Sequence, residues 1–244
     1  MCSAAVEQPF LIRAGHPSPA EFRELVNSGE VLEHRGDDRP SLIRLESTGV
    51  RAQVLMVKLW YPKKLWSSDR LRPYSERFRR NAALLAERDV MAPEVVGWGR
   101  LQESLARFVS YPEIPGTPLR DLPGSLDLDA LAGFLIRLHE AGIAFRALHL
   151  GNVLKTVSDF ALIDIGDCRF SSDALSLRQR AKNLGGLCAH PTDAARFGNG
   201  AWSGLVISYA RQALFTLDEA AVLHHRVRAH VRRWDQRRAR QRRR

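Results

Sequence analysis

Cysteine is scarce in this chain of 244 residues. The three cysteines, Cys2, Cys168 and Cys188, form no C-x-x-C pair and are odd in number. A disulfide framework needs paired cysteines and a zinc module needs closely spaced ones, so the sequence indicates neither, and a reducing compartment fits best.

Long apolar runs are also missing from the sequence. No stretch of about 18 apolar residues occurs, and the first residues lack the basic segment and apolar run of a secretory leader. We therefore expect a cytoplasmic protein that does not span a membrane. Hydrophobic residues still make up 45% of the chain, which is enough for a substantial packed core and excludes a mainly disordered protein.

Positive charge is present in excess, but it is unevenly distributed. Lys and Arg number 37 against 27 Asp and Glu, a net charge of +10 that is typical of proteins that bind nucleic acid or anionic membranes. Residues 225–244 contain ten Arg and one Asp and so carry +9, which leaves the rest of the chain nearly neutral. The charge therefore characterises the tail and not the body.

The tail itself predicts a helix from Leu217, with an apolar stripe formed by Leu223, Val227, Val231 and Trp234. A tryptophan on a narrow apolar stripe within a cationic helix is typical of an anchor at an anionic membrane surface. Two alternatives remain open: a helix docked on the protein by that stripe, and, less favoured, a nucleic-acid arm.

The hydrophobic patterns predict an α+β protein with two lobes. A short helix at 18–27 precedes strands at 30–35, 41–46 and 51–60, a helix at 74–88, and strands at 94–98 and 105–111. A segment rich in Pro and Gly follows from Pro112, then a helix at 128–141 that ends at Gly142, an apolar strand at 160–167 and further helices from Leu175. We expect an extension at 1–29, a first lobe at 30–111, a second lobe at 112–216 and a basic tail at 217–244.

One segment of the second lobe carries the residues of a metal site. His149-Leu150-Gly151-Asn152 is followed by Asp164 within Leu162-Ile163-Asp164-Ile165-Gly166. An amide and a carboxylate can place two oxygen ligands on Mg²⁺, with Gly166 providing a sharp turn beside it. Alternatively, Asn152 caps a turn and Asp164 ends a strand.

At these residues the chain resembles the bacterial lipopolysaccharide kinase group, the heptose and Kdo kinases of the inner core and their relatives, within the protein-kinase-like superfamily. The resemblance covers residues 30 to 215. Three motifs stand in the family's order: VKLWYPKKLWSSDRLRPYSERFRRNA, YPEIPGTPLRDL, and FRALHLGNVLK with FALIDIGD. It implies a two-lobed kinase-like fold with a small antiparallel sheet and one helix, then a mainly helical lobe, and use of ATP and Mg²⁺.

The resemblance assigns cofactor-binding residues in the first lobe. Lys58 matches the lysine that contacts the nucleotide phosphates, and Glu76 or Asn81 on the next helix would be its partner. Tyr111 matches the hinge that holds adenine. The alternative for Lys58 is a solvent-facing side chain on an edge strand.

The resemblance also assigns residues in the second lobe, with two departures. Asn152 and Asp164 match the metal ligands, but the position of the usual catalytic base is Ala147. His149 and Asp167 are the candidates to replace it, each with an alternative structural role. The phosphate loop is replaced by Gly36-Asp37-Asp38-Arg39, which has one glycine and two acids.

The function implied is ATP-dependent phosphorylation of a sugar of the lipopolysaccharide core or a lipid-linked saccharide, at the cytoplasmic face of the inner membrane. The first alternative is a pseudokinase with a binding or scaffolding role in envelope biogenesis, which Ala147 favours. A small-molecule kinase of the antibiotic-resistance type is less favoured, because few residues remain after 175 for its substrate-binding insertion.

Overall fold

The computed structural model describes residues 14–47, 53–62, 73–193, 196, 197, 200 and 202–241. Within them the chain divides into two compact units. The first unit holds the described residues up to Glu87 together with Ala92–Pro115, and the second holds Arg88–Met91 and the described residues from Gly116 onward.

The first unit is built on a sheet of six strands with two helices. The helices are α1 (Pro19–Ser28) and α2 (Tyr74–Ala86), and the strands are β1 (Ala14–Gly15), β2 (Glu30–His34), β3 (Pro40–Ser47), β4 (Gln53–Trp60), β5 (Gly97–Arg100) and β6 (Arg107–Pro112). The strand order is β1-β5-β6-β4-β3-β2, antiparallel except where β1 pairs in parallel with β5. The predicted meander is thus confirmed, with one more short strand at its edge.

Residues of the predicted N-terminal extension contribute to this unit. Ser18 and Glu21 form a capping box that starts α1, because the Ser18 hydroxyl accepts from the Glu21 N–H and the Glu21 carboxylate accepts from the Ser18 N–H. Leu25 of α1 is 1% exposed and belongs to the core beneath the sheet. Burying a leucine in this way contributes about 1.5–3 kcal/mol, which fixes α1 to the sheet.

The two faces of β4 pack against different helices. Leu55, Val57 and Leu59 join the core that contains Leu25 of α1. Since side chains alternate along a strand, Lys58 and Trp60 lie on the other face. Trp60 contacts the rings of α2, which identifies this as the α2 side of the sheet.

The second unit combines four helices with three short strand pairings. The helices are α3 (Leu128–Glu140), α4 (Leu177–Cys188), α5 (Trp202–Gln212) and α6 (Leu217–Gln241), and the strands are β7 (Thr117–Pro118), β8 (Ile143–Phe145), β9 (Val153–Lys155), β10 (Phe160–Leu162) and β11 (Cys168–Phe170). Helices α3 and α5 pack together, as do α4 and α6. The expectation of a single strand here was wrong, because strands of two or three residues are too short to show an alternating pattern.

Helix α3 ends as the sequence predicts. Gly142, just after the helix, has φ of +71°, a left-handed conformation that glycine adopts without strain. A side chain there would also lie 2.5 Å from the carbonyl oxygen of Ser171. The glycine therefore both stops α3 and lets β8 start close to the segment after β11.

Helix α6 is docked on its own unit over its first half. Leu223 and Val227 are fully buried, and α6 contacts both α4 and α5. A side chain at Gly185 of α4 would lie 2.7 Å from Cβ of His230, so the glycine is needed for the close approach of the two helices.

This packing corrects the interpretation of the tail as one continuous membrane-facing stripe. Leu223 and Val227 are used inside the protein, as the docked-helix alternative expects, while Trp234 is 37% exposed. Among the helices of the described ranges, none combines the length and the apolar character needed to cross a bilayer.

Candidate active site

Two loops of the second unit lie side by side because the strands that flank them pair in a nested order. Residues 146–152 connect β8 to β9, and residues 163–167 connect β10 to β11. Strand β9 pairs with β10, and β8 pairs with β11. The N–H of Ile163 donates to the carbonyl of Asn152 at 3.0 Å, and the N–H of Arg146 donates to the carbonyl of Asp167 at 3.3 Å. The predicted residues of the two loops are therefore neighbours.

Asn152 is held in a fixed orientation by its own loop. The side chain is 7% exposed, and its Nδ2 donates to the carbonyl of Ala147 at 3.0 Å. Its backbone N–H donates to the carbonyl of His149 at 2.9 Å. Since the amide nitrogen is committed to the loop, Oδ1 is the atom of Asn152 with the chemistry of a cation ligand.

Asp164 occupies a strained backbone conformation next to this loop. Its φ of 54° and ψ of 41° lie in the left-handed region, where Asp is tolerated better than most residues at a cost of about 1–3 kcal/mol. The predicted strand at 160–167 ends at Leu162, and a single 3₁₀ turn covers Ile165–Asp167. The sharp turn thus falls on Asp164 and not on Gly166, which corrects the role expected of that glycine.

The negative charges of the second loop act on neighbouring groups. Burial raises the pKa of the Cys168 thiol, and the Asp167 and Asp164 carboxylates raise it further. Asp164 also acts on the imidazole of His149. The structure therefore brings together four of the predicted site residues: His149, Asn152, Asp164 and Asp167.

His149 is arranged to position other groups and not to take up a proton at Nδ1. Burial, followed by the charges of His190 and Arg120, lowers its pKa to about 4, so the ring is neutral at pH 7. Nη2 of Arg120 lies 3.2 Å from Nδ1. A guanidinium only donates, so Nδ1 accepts and the proton of the neutral ring sits on Nε2. The assignment of Asp167 as the base stays a prediction.

The buried carboxylate of Asp193 supports the first loop. No sequence pattern indicated this residue. Asp193 is fully buried, its Oδ1 accepts from Nε of Arg120 at 2.6 Å, and its Oδ2 accepts from the N–H of Leu150 at 2.7 Å. Charge-assisted bonds of this kind are about twice as strong as neutral ones. Asp193 therefore fixes both the backbone of the loop and the arginine that contacts His149.

A chain of buried hydrogen bonds fixes the strand that enters the first loop. Asn183 of α4 grips the backbone of Phe145, accepting from its N–H at 3.4 Å and donating to its carbonyl at 2.6 Å. Nε2 of His139 lies 3.1 Å from the Asn183 oxygen, and Nδ1 of His139 lies 2.8 Å from the hydroxyl of Tyr209. The Tyr209 oxygen in turn accepts from Nη1 of Arg180 at 3.1 Å.

The donors in this chain allow one arrangement of protons. Because Nδ2 of Asn183 donates to Phe145, its Oδ1 must accept from Nε2 of His139, and Nδ1 of His139 then accepts from Tyr209. Burial lowers the pKa of His139 to about 4, which keeps the ring neutral as this arrangement requires. No sequence pattern indicated this network.

Lys58 lies on an interior strand of the first unit. Strand β4 is flanked by β3 and β6, and Lys58 stands opposite Leu42 on one side and Val109 on the other. Its side chain is half-buried on the α2 side of the sheet. The edge-strand alternative for Lys58 is therefore wrong.

The two partners proposed for Lys58 occupy different sides of α2. Asn81 is 6% exposed and shares the buried face of the helix with Phe78 and Leu85. Glu76 is exposed, and its Oε1 lies 2.6 Å from Nη1 of Arg107. Of the two, Asn81 is the residue that α2 presents to the sheet.

Tyr111 lies in β6, opposite Met56, with its ring stacked on Phe78 at a centroid distance of 5.6 Å. The side chain is 6% exposed and belongs to the packing between α2 and the sheet. Its predicted role in holding adenine concerns its backbone and stays a prediction.

In the turn between β2 and β3, nearby arginines balance the charge of Asp37. Asp37 pairs with Arg39 and lies 3.6 Å from Arg35, and the hydrogen bond from Arg39 lowers the pKa of Asp37. Arg39 also lies over the ring of Tyr61 at 4.1 Å. The carboxylate of Asp37 is therefore balanced by two arginines, which weakens the repulsion of phosphate that two acids imply.

The donor chemistry of the second unit fits Mg²⁺ with phosphate as a co-ligand. Among the described residues, no three side chains of His, Cys, Asp or Glu form a metal cluster. Asn152 and Asp164 would supply one amide and one carboxylate oxygen, and Mg²⁺ usually takes one or two protein ligands and completes its shell with phosphate oxygens and water. The bond from Nδ2 of Asn152 to the carbonyl of Ala147 leaves Oδ1 as the atom that would serve as the ligand.

Solved structures of other proteins share this architecture. The aminoglycoside-3'-phosphotransferase of type VIII is similar with a TM-score of 0.57 and 17% identity, over 83% of this chain and 93% of that one. The fold is protein-kinase-like. The predicted α+β fold class is thereby confirmed.

Two further structures are similar at lower scores. WaaP in complex with acyl carrier protein has a TM-score of 0.49 and 18% identity, over 87% of this chain and 92% of that one. WbdD in a co-crystal with a kinase inhibitor has a TM-score of 0.46 and 14% identity, over 78% of this chain and 44% of that one. No family model and no curated protein sequence matches the chain.

Proposed function

We propose that this protein is an ATP- and Mg²⁺-dependent phosphotransferase of the lipopolysaccharide kinase group, acting on a sugar hydroxyl of the lipopolysaccharide core. The observation that carries the proposal is the pair of adjacent loops that brings Asn152 next to the segment of Asp164 in a protein-kinase-like fold. The order of the three sequence motifs supports the choice of this group among kinases.

The first unit would bind the nucleotide. Lys58 would contact the phosphates, with Asn81 as a neutral hydrogen-bonding neighbour, and the backbone at Tyr111 would hold adenine. In the second unit Asn152 and Asp164 would hold Mg²⁺, which when bound neutralises charge on the phosphates. A fixed Asn152 and a strained Asp164 suit this task, because pre-organised ligands need no rearrangement on binding.

In the reaction, the oxygen of the sugar hydroxyl forms a bond to the γ-phosphorus of ATP. The bond from that phosphorus to the bridging oxygen of the β-phosphate breaks, and ADP leaves with the electron pair. The hydroxyl proton would pass to the carboxylate of Asp167, which would replace the usual catalytic aspartate, because Ala147 occupies that position. His149 and Asp193 would position the loop and take no proton.

The projecting end of α6 would hold the enzyme at the anionic inner face of the membrane. Beyond the docked half of the helix, Arg232, Arg233, Arg237 and Arg240 are exposed, and Trp234 lies among them. Each basic residue near an anionic leaflet contributes about 1 kcal/mol. A membrane-bound acceptor would then reach the enzyme by diffusion within the plane of the membrane.

A pseudokinase is the second candidate, and Ala147 is the observation that favours it. The two candidates separate in cells that lack the gene and carry a plasmid for the wild type, Asp164→Ala or the exposed control Asp218→Asn. We expect mass spectrometry of the core oligosaccharide to show one phosphate restored by the wild type and the control, but not by Asp164→Ala. Restoration by Asp164→Ala, or a core that is the same with and without the gene, would contradict the transferase.

A further inference from the structure

A cationic cleft lies in the first unit. It has a volume of about 360 Å³ and is bordered by the end of β1, the first half of α2, and the paired strands β5 and β6. This is within the range of small-molecule sites, roughly 300–1,000 Å³. None of the residues in the proposed phosphotransfer lines it. Glu76, which does line it, forms an ion pair with Arg107.

Three arginines line this cleft with a single carboxylate. Arg79, Arg100 and Arg107 carry three positive charges against the one negative charge of Glu76, so these four side chains give the lining a charge of +2. The guanidinium of Arg107 has five N–H donors and uses one nitrogen for Glu76, so it keeps donors for a ligand. The cleft therefore has the charge to hold a dianion.

Two of these arginines occupy facing positions, where their like charges repel. Arg100 and Arg107 are directly opposite each other in the antiparallel pair of β5 and β6. Like charges at such positions destabilise a sheet, and Glu76 is in contact with Arg107. An anion bridging the two guanidinium groups would remove the repulsion.

The third arginine is already oriented. The guanidinium of Arg79 lies over the ring of Trp98 at 4.7 Å, and Trp98 is 38% exposed. Stacking fixes the plane of the guanidinium while leaving its edge for hydrogen bonds, so less side-chain entropy is lost on binding. The indole beside it offers an apolar surface to the group that carries the anion.

We propose that this cleft binds a phosphomonoester. A phosphate ester carries a charge of about −1.5 to −2 at pH 7 and three acceptor oxygens, which match a lining of +2 with three guanidinium groups. Ser75, in the first turn of α2, also lines the cleft and adds a hydroxyl. The proposal does not depend on ATP transfer.

Calorimetric titration of the full chain with glycerol 3-phosphate and with inorganic phosphate tests the proposal. We expect binding that is weakened at least tenfold in the double variant Arg79→Gln/Arg100→Gln and unchanged in Arg23→Gln, an exposed arginine of α1. Absence of binding, or an equal loss in the Arg23 variant, would overturn it. Asp164→Ala must keep the binding; if it abolishes it, the phosphate was bound at the candidate active site and the cleft is refuted.

Thermal unfolding gives a second readout that a purely structural role would not produce. Arg100→Gln should raise the melting temperature of the ligand-free protein by about 1–3 °C, because the repulsion with Arg107 is relieved. Glycerol 3-phosphate should raise the melting temperature of the wild type and leave that of Arg79→Gln/Arg100→Gln unchanged. A lower melting temperature of ligand-free Arg100→Gln would contradict the account.

The source of the phosphate is decided by a vesicle assay. Phosphatidylcholine vesicles that contain phosphatidic acid, or the same charge of phosphatidylserine as a phosphodiester control for binding by the basic tail, are sedimented with the wild type and with Arg79→Gln/Arg100→Gln. A loss of binding to phosphatidic acid in the double variant identifies a lipid headgroup as the ligand. Equal sedimentation of both proteins, together with glycerol 3-phosphate binding that depends on the two arginines, identifies a soluble phosphomonoester.

Discussion

Replacing Asp193 by asparagine keeps the size of the side chain but removes a buried charge. In the wild type, the two carboxylate oxygens accept from Nε of Arg120 at 2.6 Å and from the N–H of Leu150 at 2.7 Å. Asparagine has only one oxygen, so its NH₂ group must face one of these two donors. The loop of residues 146–152 then loses either its brace to the backbone or the arginine that contacts His149.

The magnitude follows from the burial of the two partners. Breaking a fully buried ion pair costs about 3–5 kcal/mol, and an unsatisfied buried N–H costs about 1–3 kcal/mol. Asp193 is fully buried, but the Arg120 side chain is 31% exposed, so water compensates part of the loss. We therefore expect Asp193→Asn to lower the free energy of unfolding by roughly 2–4 kcal/mol.

Urea unfolding followed by circular dichroism measures this change, with Asp218→Asn on the exposed first turn of α6 as the matched control. Hydrogen exchange at the amide of Leu150 reports the local effect, and we expect its protection to fall more than that of the core strand β10. An Asp193→Asn protein as stable as the control, with Leu150 still protected, would refute the bracing role.

Three other predictions concern titration, the tail and the base. The pKa of His139 is about 4 in the folded protein and near 6.5 in the unfolded chain. Between these pH values the unfolded state binds more protons than the folded state. The free energy of unfolding should therefore fall by up to about 3 kcal/mol as the pH drops from 6.5 to 4. His139→Gln should flatten this part of a pH series of urea unfolding, and an unchanged slope would exclude His139 as its source. Val227→Asp should lower the melting temperature strongly, because it buries a charge. Trp234→Glu should leave the melting temperature unchanged and reduce sedimentation with anionic vesicles. Vesicle binding that survives Trp234→Glu would refute the membrane role of the tail. Asp167→Asn should lower kcat for phosphate transfer by roughly 10²–10⁴-fold, and adding Ala147→Asp should recover part of it; a normal kcat for Asp167→Asn would assign the base elsewhere.

The sequence predicted those helices and strands in which apolar residues recur at regular spacing and pack on one side against the core. The meander of β2, β3 and β4 and the helices α1, α2 and α3 fall within a few residues of their predicted bounds, because alternation or helical spacing repeats several times in each. The left-handed conformation of Gly142 was also predictable, since glycine after a helical pattern signals its end.

The remaining features depend on contacts between distant segments. Strands β7, β8 and β11 have two or three residues each, so no period can form, and they exist only because their partners pair with them. Asp193 stands in a short polar run after α4, where nothing marks it as buried. The network is formed by residues from three different helices, His139, Asn183 and Tyr209. Nothing in the local sequence of any one helix indicates that these side chains meet.

The candidate site was predictable as a set of residue types but not as an arrangement. Asn152 and Asp164 were identified by spacing, yet the turn beside Asp164 was assigned to Gly166, because a glycine is the usual sign of strain. The stripe of α6 was predicted correctly as apolar, but a stripe does not reveal whether its partner is a bilayer or the protein's own helices. Burial of Leu223 and Val227 answered that for the first half of the helix.

Calorimetric titration of the purified protein with ATP, in the presence and absence of Mg²⁺, tests the central claim most directly. The account predicts binding that requires Mg²⁺, is lost in Asp164→Ala and Asn152→Ala, and persists in Asp218→Asn. Binding that is equal in Asp164→Ala, or no binding of Mg·ATP to the wild type, would contradict the assignment of these loops as the metal and nucleotide site.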